Sequence, residues 1–501
     1  GGDELILKST SEESVIDGQF TLAEAAGTVT LDGNTAKLNA QQPTNITFEV
    51  KNNGHLIINQ SNAVRGSLAL DSSGAKVTVN AENGLNADTT NSTLNLPANT
   101  EVIFNADQAL DKLSSNITTS KITIADGAAL SIANTTSPGT ESLFYGTLSG
   151  AGNVELTGGE LRLGANGVSD QNANTFTGAF SVSGDSVLRL GKAAAISGKK
   201  LTVSNGSQVI VKHGDNAFNN ALNVTLDGSD DQLIIDTSSA HSQQINALNA
   251  GPNSTIIINN ASDTLQIGSN NGDSQIDGDV EGDGSFIIAG NGTTTIGTTG
   301  ELLNGAILAD GASIVNDGTI EAGQESLAVT LDGSDNSNAN DLSIVNTGTI
   351  KTVAGGNGND AVYLKDSERV TIKNSGTIRA RGSTGIHLKL SEYARIINSG
   401  TISAANKNGI FLEGEGDAFS LYAYIENSGT ISTDTDNDAI DLQRSKNARV
   451  VNTGTIAAGN KEGETANNGI FLEDSENAVV ENSGTISASG NDGIDLENST
   501  D

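Results

Sequence analysis

Seven copies of Asn-x-Gly-Thr-Ile punctuate the C-terminal part of this chain, beginning at Asn316, Asn346, Asn374, Asn398, Asn427, Asn452 and Asn482. A second motif of Gly or Ala, Ile or Val, any residue and Leu follows each of the last six, at Val362/Leu364, Ile386/Leu388, Ile410/Leu412, Ile440/Leu442, Ile470/Leu472 and Ile494/Leu496. Self-similarity on this scale marks a stack of supersecondary units, none of which can bury its apolar side alone. The shortest unit runs from Asn374 to Asn398, the perimeter of three short strands and three turns. From Leu to the next Asn the spacing is constant in four copies and longer only after Leu412, while from Asn to the following Ile or Val it is shortest after Asn374, Asn398 and Asn482 and longest after Asn452. Insertions therefore fall at two corners of an otherwise fixed coil. Ser367, Ser391, Ser445, Ser475 and Ser499 each follow the motif leucine by three, and the third copy lacks that serine.

Side chains alternate across a strand, which assigns the faces. Val370, Ile372, Asn374, Gly376 and Ile378 share one side, and Ala394, Ile396, Asn398, Gly400 and Ile402 repeat it. That side is the interior. The asparagines are then expected to stack inward, one per coil, as an amide ladder, with the Ser or Thr between Asn and Gly pointing out. No stretch has helical periodicity, so the expectation is all-β: a right-handed, three-sided parallel β-helix. At ~24 residues and ~4.8 Å per coil the chain would form about twenty coils in a rod about 100 Å long.

The first three hundred residues keep the strand-and-turn grammar without the Asn motif. Residues 1–300 thus read as irregular coils and 301–501 as regular ones, in one continuous solenoid. The phrase Val-Thr-Leu-Asp-Gly recurs at Val29, Val224 and Val329.

Composition narrows the partners. With 61 Asp and Glu against 26 Lys and Arg, the formal charge is −35, which repels nucleic acid and anionic lipid. There is no Cys, so disulfides and thiolate sites are excluded. No apolar run is long enough for a membrane-spanning helix, and no membrane insertion is expected.

Residues 148–164, from Leu148-Ser149-Gly150-Ala151-Gly152-Asn153-Val154 to Leu161-Arg162-Leu163-Gly164, resemble the passenger-associated repeat of bacterial autotransporters. Asn174-Thr175-Phe176-Thr177-Gly178 and Ser183-Gly184-Asp185-Ser186-Val187-Leu188-Arg189-Leu190-Gly191 continue it in that repeat's order. The resemblance implies a β-helical passenger, exported through an outer-membrane barrel absent from this chain and then displayed on or shed from a bacterial surface.

Enzyme chemistry finds little footing. The Gly-Asp-Ser-Gly of a trypsin-like passenger is not met, because Val187 follows Ser186 and Gln275 follows Ser274. His55, His213, His241 and His387 are isolated. Asp441 and Asp495 take the outward position between Ile and Leu, and Asp360, Asp438 and Asp492 lie just upstream, an arrangement that paired-carboxylate sugar chemistry could use. Asp434, Asp436 and Asp438 alternate as in a calcium loop, but Ala439 and Ser445 replace the Gly and Glu that such a loop needs. Gly355 to Tyr363 matches one calcium-binding nonapeptide without a tandem copy. No dedicated metal site, no cofactor and no catalytic residue is assigned.

The reading is an adhesin or receptor ligand, with a host-surface protein, a glycan or a second copy as partner. A toxin-like passenger and a polysaccharide-active enzyme are the alternatives. The candidate contact residues are aromatic. Tyr363, His387 and Phe411 take the outward position of Ile-x-Leu on three consecutive coils and should form a stripe, and the long connection after Leu412 should bring Phe419, Tyr422 and Tyr424 to the same region.

Overall fold

A computed structural model describes residues 3–8, 13–21, 26–85, 92–134, 141–165, 172–228, 230–238, 240–323, 327–331, 339–353, 358–434, 437–459 and 467–500. Every regular element among them is a β-strand. The strands stack in parallel as a β-solenoid of about 18 turns in all, against the twenty expected. Corner insertions lengthen many coils beyond the shortest unit, Asn374 to Asn398, which accounts for the difference. Two compact units emerge, residues 1–244 and 245–501.

In the first unit the early coils carry two main strands each. Gly27–Asp32, Ile46–Lys51 and Ser67–Leu70 stack in one sheet. Thr35–Leu38, His55–Ile58, Lys76–Val79, Glu101–Phe104 and Lys121–Ile124 stack in another. Register places Leu38, Ile58, Val79, Phe104 and Ile124 in one interior column, all sealed from solvent. Later coils of this unit supply further columns, such as Val154, Phe180, Leu201 and Val224. A short asparagine ladder runs along the outside of a turn: Nδ2 of Asn59, Asn80 and Asn105 donates to the asparagine one coil earlier at 2.9, 2.8 and 2.7 Å.

The second unit shows the three-sided coil in full. Its first face holds the asparagine strands Ser313–Asn316, Ser343–Asn346, Thr371–Asn374, Arg395–Asn398, Tyr424–Asn427, Arg449–Asn452 and Val479–Asn482. A second face follows directly, as in Thr377–Ala380 and Thr401–Ala404. The third carries Val362–Lys365, Ile386–Lys389, Ile410–Glu413, Ile440–Gln443, Ile470–Glu473 and Ile494–Glu497.

The asparagines point inward. Asn316, Asn346, Asn374, Asn398, Asn427 and Asn452 are buried, and Nδ2 of each donates to Oδ1 of the next at 2.7–2.8 Å, ending on Asn482. Each Nδ2 also meets a backbone oxygen one coil on, as Asn374 does with Thr401 at 3.1 Å. The ladder starts at Asn316 because its register partner in the preceding coil is Ile296, so Asn316 Oδ1 has no donor. The motif glycine is equally constrained: a Cβ on Gly400 would lie 2.1 Å from the Gly376 carbonyl oxygen. The coils close up at this corner, and only hydrogen fits.

The third-copy serine is present after all, displaced by the insertion. Ser420 pairs with Ser445 in register, so residues 415–419 are the additional ones. They form a tight hairpin in which Glu415 and Ala418 exchange backbone hydrogen bonds at 3.0 Å.

Candidate functional site

Register sets Tyr363, His387 and Phe411 side by side on the outside of the third face. The His387 ring lies 4.9 Å from Tyr363, edge-on, and 4.8 Å from Phe411, stacked. Its Nδ1 faces Asp360 Oδ2 and its Nε2 faces Glu413 Oε2, both at 3.0 Å. Asp360 is itself fixed, accepting from the Thr384 amide at 2.8 Å. Burial raises the Tyr363 hydroxyl above its usual pKa. The stripe exists, but its rings pack against one another and are half-buried.

The same column continues through Asp441, Phe471 and Asp495. Phe471 obeys the Ile-x-Leu rule that located the other three and belongs with them. Asp441 is wedged between the register positions of Phe411 and Phe471. Its Oδ2 accepts from Asn408 Nδ2 at 3.0 Å, and its Oδ1 is sealed without a partner. Burial, reinforced by the carboxylates of Asp438 and Glu473, holds the Asp441 carboxyl well above the ordinary range. Asp438 is pushed up to about 6, chiefly by burial, although it accepts from the Asn468 amide at 2.6 Å.

The calcium candidates do not assemble among the described residues. Asp434 is exposed, Asp438 is turned to the backbone of the next coil, and Asp436 lies outside the described residues, as do positions 355–357 of the nonapeptide. No group of three or more His, Asp or Glu there is arranged to hold a metal ion.

The other three aromatic candidates go elsewhere. Tyr424 lies on the first face, under the Arg395 guanidinium at 4.8 Å, its hydroxyl donating to Glu426 at 3.2 Å. Phe419 belongs to the hairpin, with Lys446 Nζ 5.7 Å from its ring centre. Tyr422 stacks on Tyr393, centroids 5.1 Å apart and planes within 4°. The aromatic residues thus divide among the third face, the corner that leads from it to the first face, and the first face itself, because the insertion packs at that corner and not along the stripe.

That corner has an unusual backbone. Each coil passes through the left-handed region at one equivalent residue: Asp341, Arg369, Tyr393, Tyr422, Asn447 and Asn477, with φ between 52° and 57°. Asn and Asp visit this region readily, whereas bulky residues pay about 1–2 kcal/mol. Folding alone would favour asparagine in every coil. Arg369, Tyr393 and Tyr422 occupy it instead in three consecutive coils, the two tyrosines 50% and 48% exposed. A sequence signal existed: Asn447 and Asn477 follow Leu442 and Leu472 at the same spacing as Tyr393 follows Leu388.

Lys192 is a buried group of another kind, in the first unit. It is wholly sealed, its Nζ donates to the Gly146 carbonyl at 2.5 Å, and burial lowers its pKa to about 7. It shares parity with Leu188 and Leu190, so alternation already pointed it inward.

These features define a β-solenoid with an aromatic corner. No protein-family model, curated protein or solved structure matches this chain.

Proposed function

We propose that this chain is an autotransporter-type passenger that acts as an adhesive contact surface on or near a bacterial cell, with a host-surface protein or glycan as its partner. The observation that carries this reading is the Tyr393–Tyr422 pair. Two stacked, half-exposed tyrosines sit in a backbone conformation that disfavours them, where the two coils that follow use asparagine. Strain kept at an exposed aromatic position points to selection for contact and not for folding. The solenoid and the passenger-like phrases at residues 148–191 support the cellular setting. Asp441 serves the sugar-cleaving alternative poorly, since one carboxyl oxygen is sealed and the other is bound to Asn408.

Beads coated with the chain should adhere to cultured host cells. Tyr393→Asn/Tyr422→Asn should abolish most adherence while leaving the melting temperature equal or higher, because asparagine suits that backbone. Adherence unchanged by this variant, or no adherence by the parent chain, would overturn the reading.

A further inference from the structure

The hairpin at residues 415–419 does more than bypass a corner. With the two preceding coils it encloses a cleft of about 280 Å3 walled by Leu390 and Phe419 and rimmed by Asp366, Glu368 and Glu392. Leu390 departs from the pattern of its column. It occupies a second left-handed corner position, φ 50°, where other coils place Asp366, Arg444, Asp474 and Asn498. An apolar floor has therefore been set beneath three carboxylates.

The charges around the cleft are only partly answered. Glu368 is bound by Arg369, which also pairs with Asp341 at 2.7 Å. Asp366 meets Lys365 at 3.6 Å, and among the described residues Glu392 has no ion-pair partner. The Phe419 ring already attracts one cation, Lys446, whose ammonium also pairs with Glu476 at 2.5 Å. A flat apolar wall beside carboxylates matches the two halves of a long cationic side chain, whose alkyl stem packs while its head stays solvated and charge-paired. A neutral sugar would hydrogen-bond the carboxylates but leave their charge uncompensated, and an anionic one would be repelled.

We propose that this cleft receives the lysine or arginine side chain of a basic polypeptide segment on the partner. The inference rests on the contact-surface reading, and it places the cationic anchor beside the tyrosine pair: Glu392 directly precedes Tyr393, and Phe419 lies just ahead of Tyr422. The net charge of −35 draws such a segment in at long range, while the cleft fixes where it docks.

The test titrates the complete chain into a fluorescein-labelled Gly-Arg-Gly-Arg-Gly peptide and its Gly-Gln-Gly-Gln-Gly counterpart, read by anisotropy. The arginine peptide should bind and the glutamine peptide should not. Glu368→Gln/Glu392→Gln should weaken binding about fivefold or more, as should Phe419→Ala, whereas removing two exposed charges elsewhere, Asp283→Asn/Glu301→Gln, should change it by less than about twofold. Equal loss in that distant pair would reduce the effect to overall charge and overturn the proposal. So would wild-type affinity in the cleft variants, or equal binding of both peptides. If adherence depends on Tyr393 and Tyr422 while peptide binding ignores the cleft, the cation site falls and the contact surface stands. Cleft-dependent peptide binding with adherence indifferent to the tyrosines would keep the cation site and overturn the contact surface.

Discussion

Replacing Asn398 with alanine cuts the interior ladder at its middle, and the hydrogen-bond directions say which side suffers. Asn398 accepts from Asn374 and donates to Asn427, each at 2.8 Å. After the substitution Asn374 Nδ2 keeps the carbonyls of Thr401 at 3.1 Å and Gly376 at 3.3 Å. Asn427 Oδ1 loses its donor, in a residue with no exposure. An orphaned buried acceptor costs about 1–3 kcal/mol, and the small void adds about 1 kcal/mol, so roughly 2–4 kcal/mol is expected. Asn316→Ala is the control. Its oxygen is already without a donor, so that change merely hands the orphaned end to Asn346 and should cost about 1–3 kcal/mol less. Urea unfolding gives the difference, and hydrogen exchange gives the direction: protection should fall more in Tyr424–Asn427 and Thr430–Thr433 than in Thr371–Asn374. Equal costs for the two variants, or exchange unchanged on both sides of Asn398, would refute the ladder's directional role.

Other outcomes follow from the same geometry. Lys192 has a folded pKa near 7 against 10.5 when exposed, so the unfolded chain binds more protons between those values and stability rises with pH across that window. Lys192→Met should flatten the rise in a series of unfolding curves from pH 7 to 10 and stabilise the chain at neutral pH, by at most about 5 kcal/mol. Gly400→Ala must push apart two coils that meet through the Gly376 carbonyl and should lower stability by about 2–4 kcal/mol, while Gly323→Ala, with open space around its Cβ, should be near neutral in the same thermal melts. Asp441→Asn removes a buried carboxylate and should raise Tm at pH 7 by about 2 °C or more. That gain should shrink on acidification, because the folded parent binds a proton at higher pH than the unfolded chain and so gains stability as pH falls.

The period of the Asn motif and the alternation of its flanks determined the stacked parallel coils, the inward asparagines and the corners that accept insertions. These are local, repeated constraints: one strand's parity fixes its face, and a stack copies the result from coil to coil. The same parity placed Tyr363, His387 and Phe411 in a column, and applied further it would have included Phe471 and turned Lys192 inward. Sequence could not say what each column meets. Whether a ring shows its face to solvent depends on the coils above and below, and Asp360 and Glu413 hold His387 so that the stripe stacks on itself. Nor do equal words occupy equal places: Val-Thr-Leu at Val29 and at Val224 falls in different sheets of the first unit. Where the insertion at the corner packs was decided by tertiary structure. Residues 415–419 could have folded along the stripe or across the corner with the same composition. The coil resumes register at Ser420, which lays Tyr422 on Tyr393 and sets Phe419 in one cleft with Leu390 and the three carboxylates, a grouping that strand parity does not relate.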